Sequence, residues 1–188
     1  HAMAEVLSGR GELEEAMRLY GQSLEIKERL GDQRGKSATL RAMANVLSAR
    51  GELDEAMRLY GQALEICEQL GNQRGKSATL YGIGKVHFER GALDEAIRFY
   101  ERSVAIDEVL SYVSRQALNW AAMGDVEYRR GALDEAMRSY DRALEVQDKL
   151  GARLARSNTL ASRARIYTTR NENVAALRDL WSAFRTLD

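Results

Sequence analysis

The sequence of 188 residues has no proline, a single cysteine and no long apolar run. Without proline, nothing interrupts a helix from within, which favours long continuous helices. One cysteine, Cys67, excludes an intramolecular disulfide and suits a reducing compartment, so we expect a cytoplasmic protein. No segment approaches the roughly 20 apolar residues of a membrane span. The 28 basic and 28 acidic residues cancel, which argues against bulk attraction to nucleic acids or membranes.

The most informative feature that is present is a repeat of forty residues. The segment GELEEAM at residue 11 returns as GELDEAM at 51, GALDEAI at 91 and GALDEAM at 131, with a remnant, NENVAAL, at 171. Residues 11–40 and 51–80 differ at five positions. A fixed period of this length indicates stacked units, each of which buries its apolar face against the next.

Each repeat is predicted to contain two helices. Gly71 is a typical helix stop, Asn72 a typical N-cap, and Asp94 and Glu95 suit the positive end of a helix dipole. Apolar and small residues recur at helical spacing within both segments: Leu80, Ile83, Gly84 and Val86, then Leu93, Ala96, Ile97, Tyr100, Val104 and Ile106. We predict at least nine helices of about 17 to 18 residues and no strand, because this spacing recurs in every copy.

These positions resemble the tetratricopeptide repeat. Its first helix carries a large residue and then a large–small pair, here Trp120 with Met123 and Gly124. Its second helix carries alanine and then an aromatic residue, here Ala136 and Tyr140, with three further copies at Ala16 and Tyr20, Ala56 and Tyr60, and Ala96 and Tyr100. The usual repeat is 34 residues long. The 40-residue form is similar to that of kinesin light chains, Pins-type polarity scaffolds and bacterial regulators.

The resemblance implies an all-α fold, an α-solenoid in which antiparallel helix pairs form a right-handed superhelix. We expect one array of repeats with boundaries at 1–31, 32–71, 72–111, 112–151 and 152–188. The first is truncated, and the last is degenerate because Arg163 and Leu180 replace the large and the aromatic residue. The start inside a repeat suggests a piece of a longer protein. Uncovered ends should favour self-association through Val174, Leu177, Leu180, Trp181, Phe184 and Leu187.

Charge divides between the two helices of the repeat. The first helices carry +3, +3, +1 and +5, which is +12 together, and the second helices carry −12. In the family the first helices line the concave surface, so the resemblance implies a basic groove. The groove residues expected from helical spacing are Arg34, Arg41, Asn45, Ser48, Arg74, Tyr81, Lys85, Phe88, Ser114, Leu118, Asp125, Tyr128, Asn158, Arg165 and Thr168.

Cations mixed with aromatic rings suit a peptide that carries acidic side chains. The alternative is that basic first helices only neutralise the acidic helices beside them. Arg41 and Asn45 match half of a clamp that grips a terminal carboxylate, but Gly82, Leu118 and Ala122 do not complete it. That ligand is therefore not expected.

The other candidate residues are more typical of packing positions than of catalytic, metal-binding or nucleic-acid-binding sites. His87 aligns with Leu47 and Tyr167 and lacks ligand-type partners at metal-binding spacing. Cys67 aligns with polar residues and is expected to be partly exposed. Trp120 and Trp181 fall on apolar stripes and are expected in the core. The arginines of residues 152–170 lie between acidic helices, so nucleic-acid binding is not favoured.

We therefore expect a protein-interaction scaffold that binds a protein or peptide partner, without enzymatic activity, metal or cofactor. The alternative is a sensor array within a bacterial signalling protein, where repeats transmit a change in curvature.

Overall fold

The computed structural model describes residues 13–185, and in this range nine α-helices follow one another without a strand. Eight helices have 17 residues and the last has 13, which confirms the predicted helix content. Their bounds are α1 Leu13–Arg29, α2 Gln33–Ala49, α3 Leu53–Gln69, α4 Gln73–Glu89, α5 Leu93–Val109, α6 Val113–Arg129, α7 Leu133–Lys149, α8 Arg153–Thr169 and α9 Asn173–Arg185. The even-numbered helices are the first helices of the repeats, and the odd-numbered ones are the second helices.

The helix ends follow the predicted local signals. The side chain of Asn72 accepts a hydrogen bond from the backbone N–H of Gly75 at 3.1 Å, and Asp32 does the same for Gly35 at 2.8 Å. These bonds satisfy donors that the first turn of a helix leaves open. Gly71 follows the C-terminal end of α3 and has a φ of +62°, a conformation that glycine adopts without steric cost.

The chain forms two compact units, each described by itself. Unit 1 ends at Ala92 and contains α1 to α4, and unit 2 begins at Leu93 and contains α5 to α9. In unit 1, each helix packs on the next and α2 also contacts α4. In unit 2, successive helices pack in the same way and α6 contacts α8. Within each unit, therefore, two first helices lie side by side, and we call their shared surface the first-helix face.

The core confirms the predicted apolar stripes. The alanine and tyrosine of the second helices are at most 2% exposed in four repeats. A Cβ atom at Gly82 would lie 2.5 Å from Cε1 of Tyr60, and one at Gly124 would lie 2.6 Å from Cε1 of Tyr140. Both distances are below van der Waals contact, so the missing side chains allow α4 and α6 to approach the tyrosine rings.

The expectation of a partly exposed Cys67 is wrong, because this side chain is 2% exposed. Its Sγ lies 3.9 Å from Nδ2 of Asn72, and a Cβ atom at Gly75 would lie 2.6 Å from the sulfur. The first turn of α4 thus covers the thiol. The equivalent Asp107 and Gln147 are also buried. The side chains of these two residues form hydrogen bonds within the fold, so polarity did not indicate exposure.

The expectation for the tryptophans is also incorrect. Trp120 is half-buried, and Trp181 on α9 is 61% exposed. The outer side of α9 is an exposed apolar surface, formed by Val174, Leu177, Leu180, Trp181 and Phe184. No later helix in residues 13–185 packs against it, which is why Trp181 does not enter the core. Self-association through this surface stays a prediction, and Leu187 lies outside the described residues.

The degenerate last repeat has an ion pair where the second repeat has Met43 and Leu59. Arg163 on α8 donates from Nε and Nη2 to the two carboxylate oxygens of Asp179 on α9, at 2.7 and 2.8 Å. Its Nη1 reaches Asp141 on α7 at 2.6 Å. Burial works to lower the pKa of Arg163, but the hydrogen bonds with Asp179 and Asp141 outweigh it and raise the pKa. Arg163 therefore connects three consecutive helices.

Candidate functional site

The structure places the unit 1 members of the predicted groove on α2 and α4. Arg34, Asn45, Arg74 and Lys85 are exposed, and Arg41, Tyr81 and Phe88 are half-buried. The helices α2 and α4 lie beside each other in the first-helix face of unit 1, and it stays a prediction that these side chains form one groove. The predicted set combines cations, aromatic rings and one amide.

A buried tyrosine hydroxyl underlies this face. The hydroxyl of Tyr60 on α3 donates a hydrogen bond to Oδ1 of Asn45. Burial raises the pKa of Tyr60, while the nearby Arg41 acts in the opposite direction. The bond orients the Asn45 amide through its oxygen and leaves its two N–H donors out of that contact. Asn45 is therefore positioned to donate hydrogen bonds, for example to a peptide carbonyl.

The same arrangement recurs in unit 2 with a different partner. The Tyr140 hydroxyl on α7 donates to Oδ1 of Asp125 on α6, at 2.7 Å. Burial raises the pKa of Tyr140, and the Asp125 carboxylate raises it further. In both units the tyrosine follows its partner by 15 residues. Sequence analysis missed this bond, although the fixed spacing of tyrosine and polar residue was a usable signal.

Unit 2 also contains a pocket on its first-helix face. It has a volume of about 230 Å³ and is lined by Tyr128, Ala161, Ala164, Arg165, Thr168, Thr169 and Leu180. The Arg165 guanidinium carbon lies 4.5 Å from the centre of the Tyr128 ring. The Tyr128 hydroxyl is 3.3 Å from Oγ1 of Thr169, and this hydrogen bond lowers the pKa of Tyr128, with Arg165 acting in the same direction. Tyr128, Arg165 and Thr168 of the predicted groove thus meet at one place.

Many cations of the first helices serve the fold. When the arginine directly after each helix is included, eight of them form ion pairs with carboxylates of neighbouring second helices. Three pairs recur with the period of the repeat: Arg90 with Asp54, Arg130 with Asp94, and Arg170 with Asp134. The other five involve Lys36, Lys76, Arg115, Arg156 and Arg163. The division of charge is therefore partly a neutralisation between helices. The exposed Arg34, Lys85 and Arg165 are not among these eight.

Other residues that could have carried chemistry occupy packing positions. His87 is half-buried on α4, and at the equivalent position on α6 the Glu127 carboxylate accepts a hydrogen bond from Ser139 at 2.6 Å. Burial raises the pKa of Glu127.

Within residues 13–185, His, Cys, Asp and Glu do not form a group of three that could hold a metal ion. No helix in that range is both long and apolar enough to span a membrane.

Comparison with known proteins agrees with the fold of repeated helix pairs. The tetratricopeptide repeat family model matches residues 1–69 and 36–108. No curated protein matches the sequence significantly. Among solved structures, BtubC (BKLC) from P. vanneervenii is 19% identical, with a TM-score of 0.81 over 97% of this chain and 76% of that one.

Two further structures are similar over nearly all of this chain. A putative kinesin light chain from Podosopora anserina, with nearly identical TPR-like repeats, is 19% identical and has a TM-score of 0.72. The similarity covers 100% of this chain and 92% of that one. A Rap protein complexed with Competence and Sporulation Factor is 18% identical, with a TM-score of 0.86 over 99% of this chain. This chain spans 53% of the Rap protein. At these identities the similarities establish the helical-repeat solenoid fold.

Proposed function

Because the chain belongs to the tetratricopeptide repeat family, we propose that it is a protein-interaction scaffold whose first-helix faces bind an acidic, partly apolar peptide or partner helix. The family and the fold support the general role of protein binding. The chemistry of the ligand is our inference from the side chains that each unit presents.

The observation that carries the proposal is the contrast between two sets of cations. Eight cations of the first helices already pair with carboxylates of adjacent helices. Arg34 on α2 and Lys85 on α4 are instead exposed, and Lys85 lies within four residues of the half-buried Tyr81 and Phe88. Exposed cations beside aromatic surface attract carboxylates and also provide apolar contact area.

Hydrogen bonding on the same face suits a peptide backbone. Asn45 is held by the Tyr60 hydroxyl through its oxygen, which orients the amide before any ligand binds. A side chain that is already ordered loses less conformational entropy on binding. In this proposal Asn45 donates to the peptide backbone, while Arg41 and Lys85 bind carboxylates and Tyr81 and Phe88 contact apolar groups.

Fluorescently labelled peptides test the proposal directly. The panel contains acetylated 12-residue peptides in which glutamates alternate with leucine or phenylalanine, together with matched peptides in which glutamine replaces every glutamate. We expect the acidic peptides to bind more tightly by fluorescence anisotropy. Their affinity should fall as salt increases, because exposed charges are screened over about 8 Å at 0.15 M salt.

A charge-reversal variant identifies the surface. Arg34→Glu combined with Lys85→Glu should weaken binding by at least tenfold without loss of helical circular dichroism, because both side chains are exposed. The matched control, Arg98→Glu with Arg142→Glu, makes the same change in charge at exposed positions of second helices. Equal affinity of the first variant and the native chain, or equal loss in both variants, would contradict the proposal.

A further inference from the structure

The pocket in unit 2 exists at the one described repeat that lacks the second-helix tyrosine. The other four repeats have Tyr20, Tyr60, Tyr100 and Tyr140 at this position, and each is at most 2% exposed. The last repeat has Leu180 instead, and Leu180 lines the pocket.

The position of Tyr140 shows which space a tyrosine takes. Its ring lies against Gly124, and its hydroxyl binds Asp125. The equivalent residues of the last repeat are Ala164 and Arg165, and both of them line the pocket. Leucine is shorter than tyrosine and has no hydroxyl, so the space beside Ala164 and Arg165 remains open.

The size and the lining of the pocket define its occupant. Its volume of about 230 Å³ is below the roughly 300–1,000 Å³ of pockets that enclose drug-sized ligands, so it suits a single side chain. Leu180, Ala161 and Ala164 provide apolar contact. Arg165 lies over the Tyr128 ring, and a stacked guanidinium keeps the donors at its edge available for a carboxylate.

We propose that this pocket binds one leucine-sized apolar side chain of the partner peptide while Arg165 binds a carboxylate adjacent to it. The inference rests on the proposed function and specifies what the peptide places in unit 2. The charge complementarity of Arg165 selects an acidic peptide over a neutral or basic one.

A small carboxylate tests the pocket without knowledge of the partner. The probe is 4-methylpentanoate, which joins a leucine-like group to one carboxylate, and the controls are the corresponding amide and amine. In two-dimensional NMR spectra of the full chain, we expect 4-methylpentanoate to shift the amide signals of Ala161, Thr168 and Thr169 and the Nε signal of Arg165. The amide should bind at least fivefold more weakly, and the amine should not bind.

Substitution of Leu180 provides the decisive variant. Leu180→Tyr restores the residue of the other four repeats, so it should fold, and it should abolish these shifts. Ala161→Leu fills the pocket from an exposed position of α8 and gives the same test if Leu180→Tyr fails to fold. The control Leu177→Tyr changes an exposed residue of α9 outside the pocket lining and should leave binding unchanged. Arg165→Gln should make the acid and the amide bind equally.

Several outcomes overturn the inference. These are absence of pocket shifts with 4-methylpentanoate, equal shifts with the amine, or shifts that persist in Leu180→Tyr. Loss of self-association in Leu180→Tyr, measured by sedimentation, together with absence of probe binding would assign the pocket to a second copy of the chain.

If acidic peptides bind but Leu180→Tyr leaves their affinity unchanged, this inference fails and the proposed function stands. If 4-methylpentanoate binds as described but no acidic peptide does, the proposed function fails.

Discussion

Replacing the Arg163–Asp179 ion pair by the apolar pair of an internal repeat tests how the last repeat is stabilised. The equivalent residues of the second repeat are Met43 and Leu59, so the double variant is Arg163→Met with Asp179→Leu. The Arg163 side chain is 19% exposed and that of Asp179 is 7% exposed. Both charges are thus largely removed from water and depend on each other for stabilisation.

The two single variants should lose different amounts of unfolding free energy. Arg163→Met leaves the Asp179 carboxylate buried without its two hydrogen bonds from the guanidinium, and we expect a loss of about 3–5 kcal/mol. Asp179→Leu leaves Arg163 with its hydrogen bond to Asp141, which is more than half exposed, so we expect about 1–3 kcal/mol. The double variant should lie within about 1 kcal/mol of the native chain or above it, because apolar replacement of a buried pair is often neutral or stabilising.

Urea unfolding followed by tryptophan fluorescence measures these values. Both tryptophans, Trp120 and Trp181, belong to unit 2, so the signal reports the unit that contains the substitutions. The double-mutant cycle should give a favourable coupling of roughly 3 kcal/mol or more, calculated from the single and double costs. If the two single costs simply add in the double variant, the ion pair does not act as a unit and the reasoning is wrong.

Three further predictions concern other sites. Burial raises the pKa of Glu127 above 4.5, so the native chain should lose stability as pH rises through the interval between 4.5 and the higher folded-state pKa. Glu127→Gln should therefore raise the melting temperature at pH 7 but not at pH 3.5, whereas the exposed Glu89→Gln should change little at pH 7. Gly84→Leu and Ala96→Leu should each destabilise the fold by about 1–3 kcal/mol in thermal or urea unfolding, because both positions are buried and a larger side chain there would overpack the interior. Unchanged melting of either variant would contradict its placement. Cys67 should react with a thiol reagent far more slowly than in the urea-unfolded chain, and equal rates would show that the thiol is accessible.

The fold could be predicted because its signals are local and recur. The helix boundary at Gly71 and Asn72 depends on contacts within a few residues. The alanine and tyrosine that lie four residues apart in each second helix recur with the forty-residue period. The structure follows these signals closely, down to the length of the helices. Lys85 and Arg165, which helical spacing assigns to the groove, are exposed, and their role in binding stays a prediction.

Pairing across helices could not be predicted in the same way. Arg90 and Asp54 are 36 residues apart, and their contact depends on the rotation of each helix about its axis. Cys67 was misjudged because its counterparts are polar, although the side chains of Asp107 and Gln147 are buried and hydrogen-bonded. Trp181 was misjudged because an apolar stripe reports only a tendency to be covered, whereas burial requires a neighbouring helix.

The tyrosine hydroxyl beneath each first-helix face separates the part of the repeat that must stay constant from the part that can vary. Tyr60 and Tyr140 occupy the same place in the packing, yet their hydroxyls meet an amide at Asn45 and a carboxylate at Asp125. A phenol can donate to either group and can also accept, so one buried residue tolerates several surface chemistries. Duplication followed by single substitutions at the position of Asn45 could therefore diversify ligand preference from repeat to repeat while the interior remains untouched. The same position offers a designer one adjustable contact in each unit.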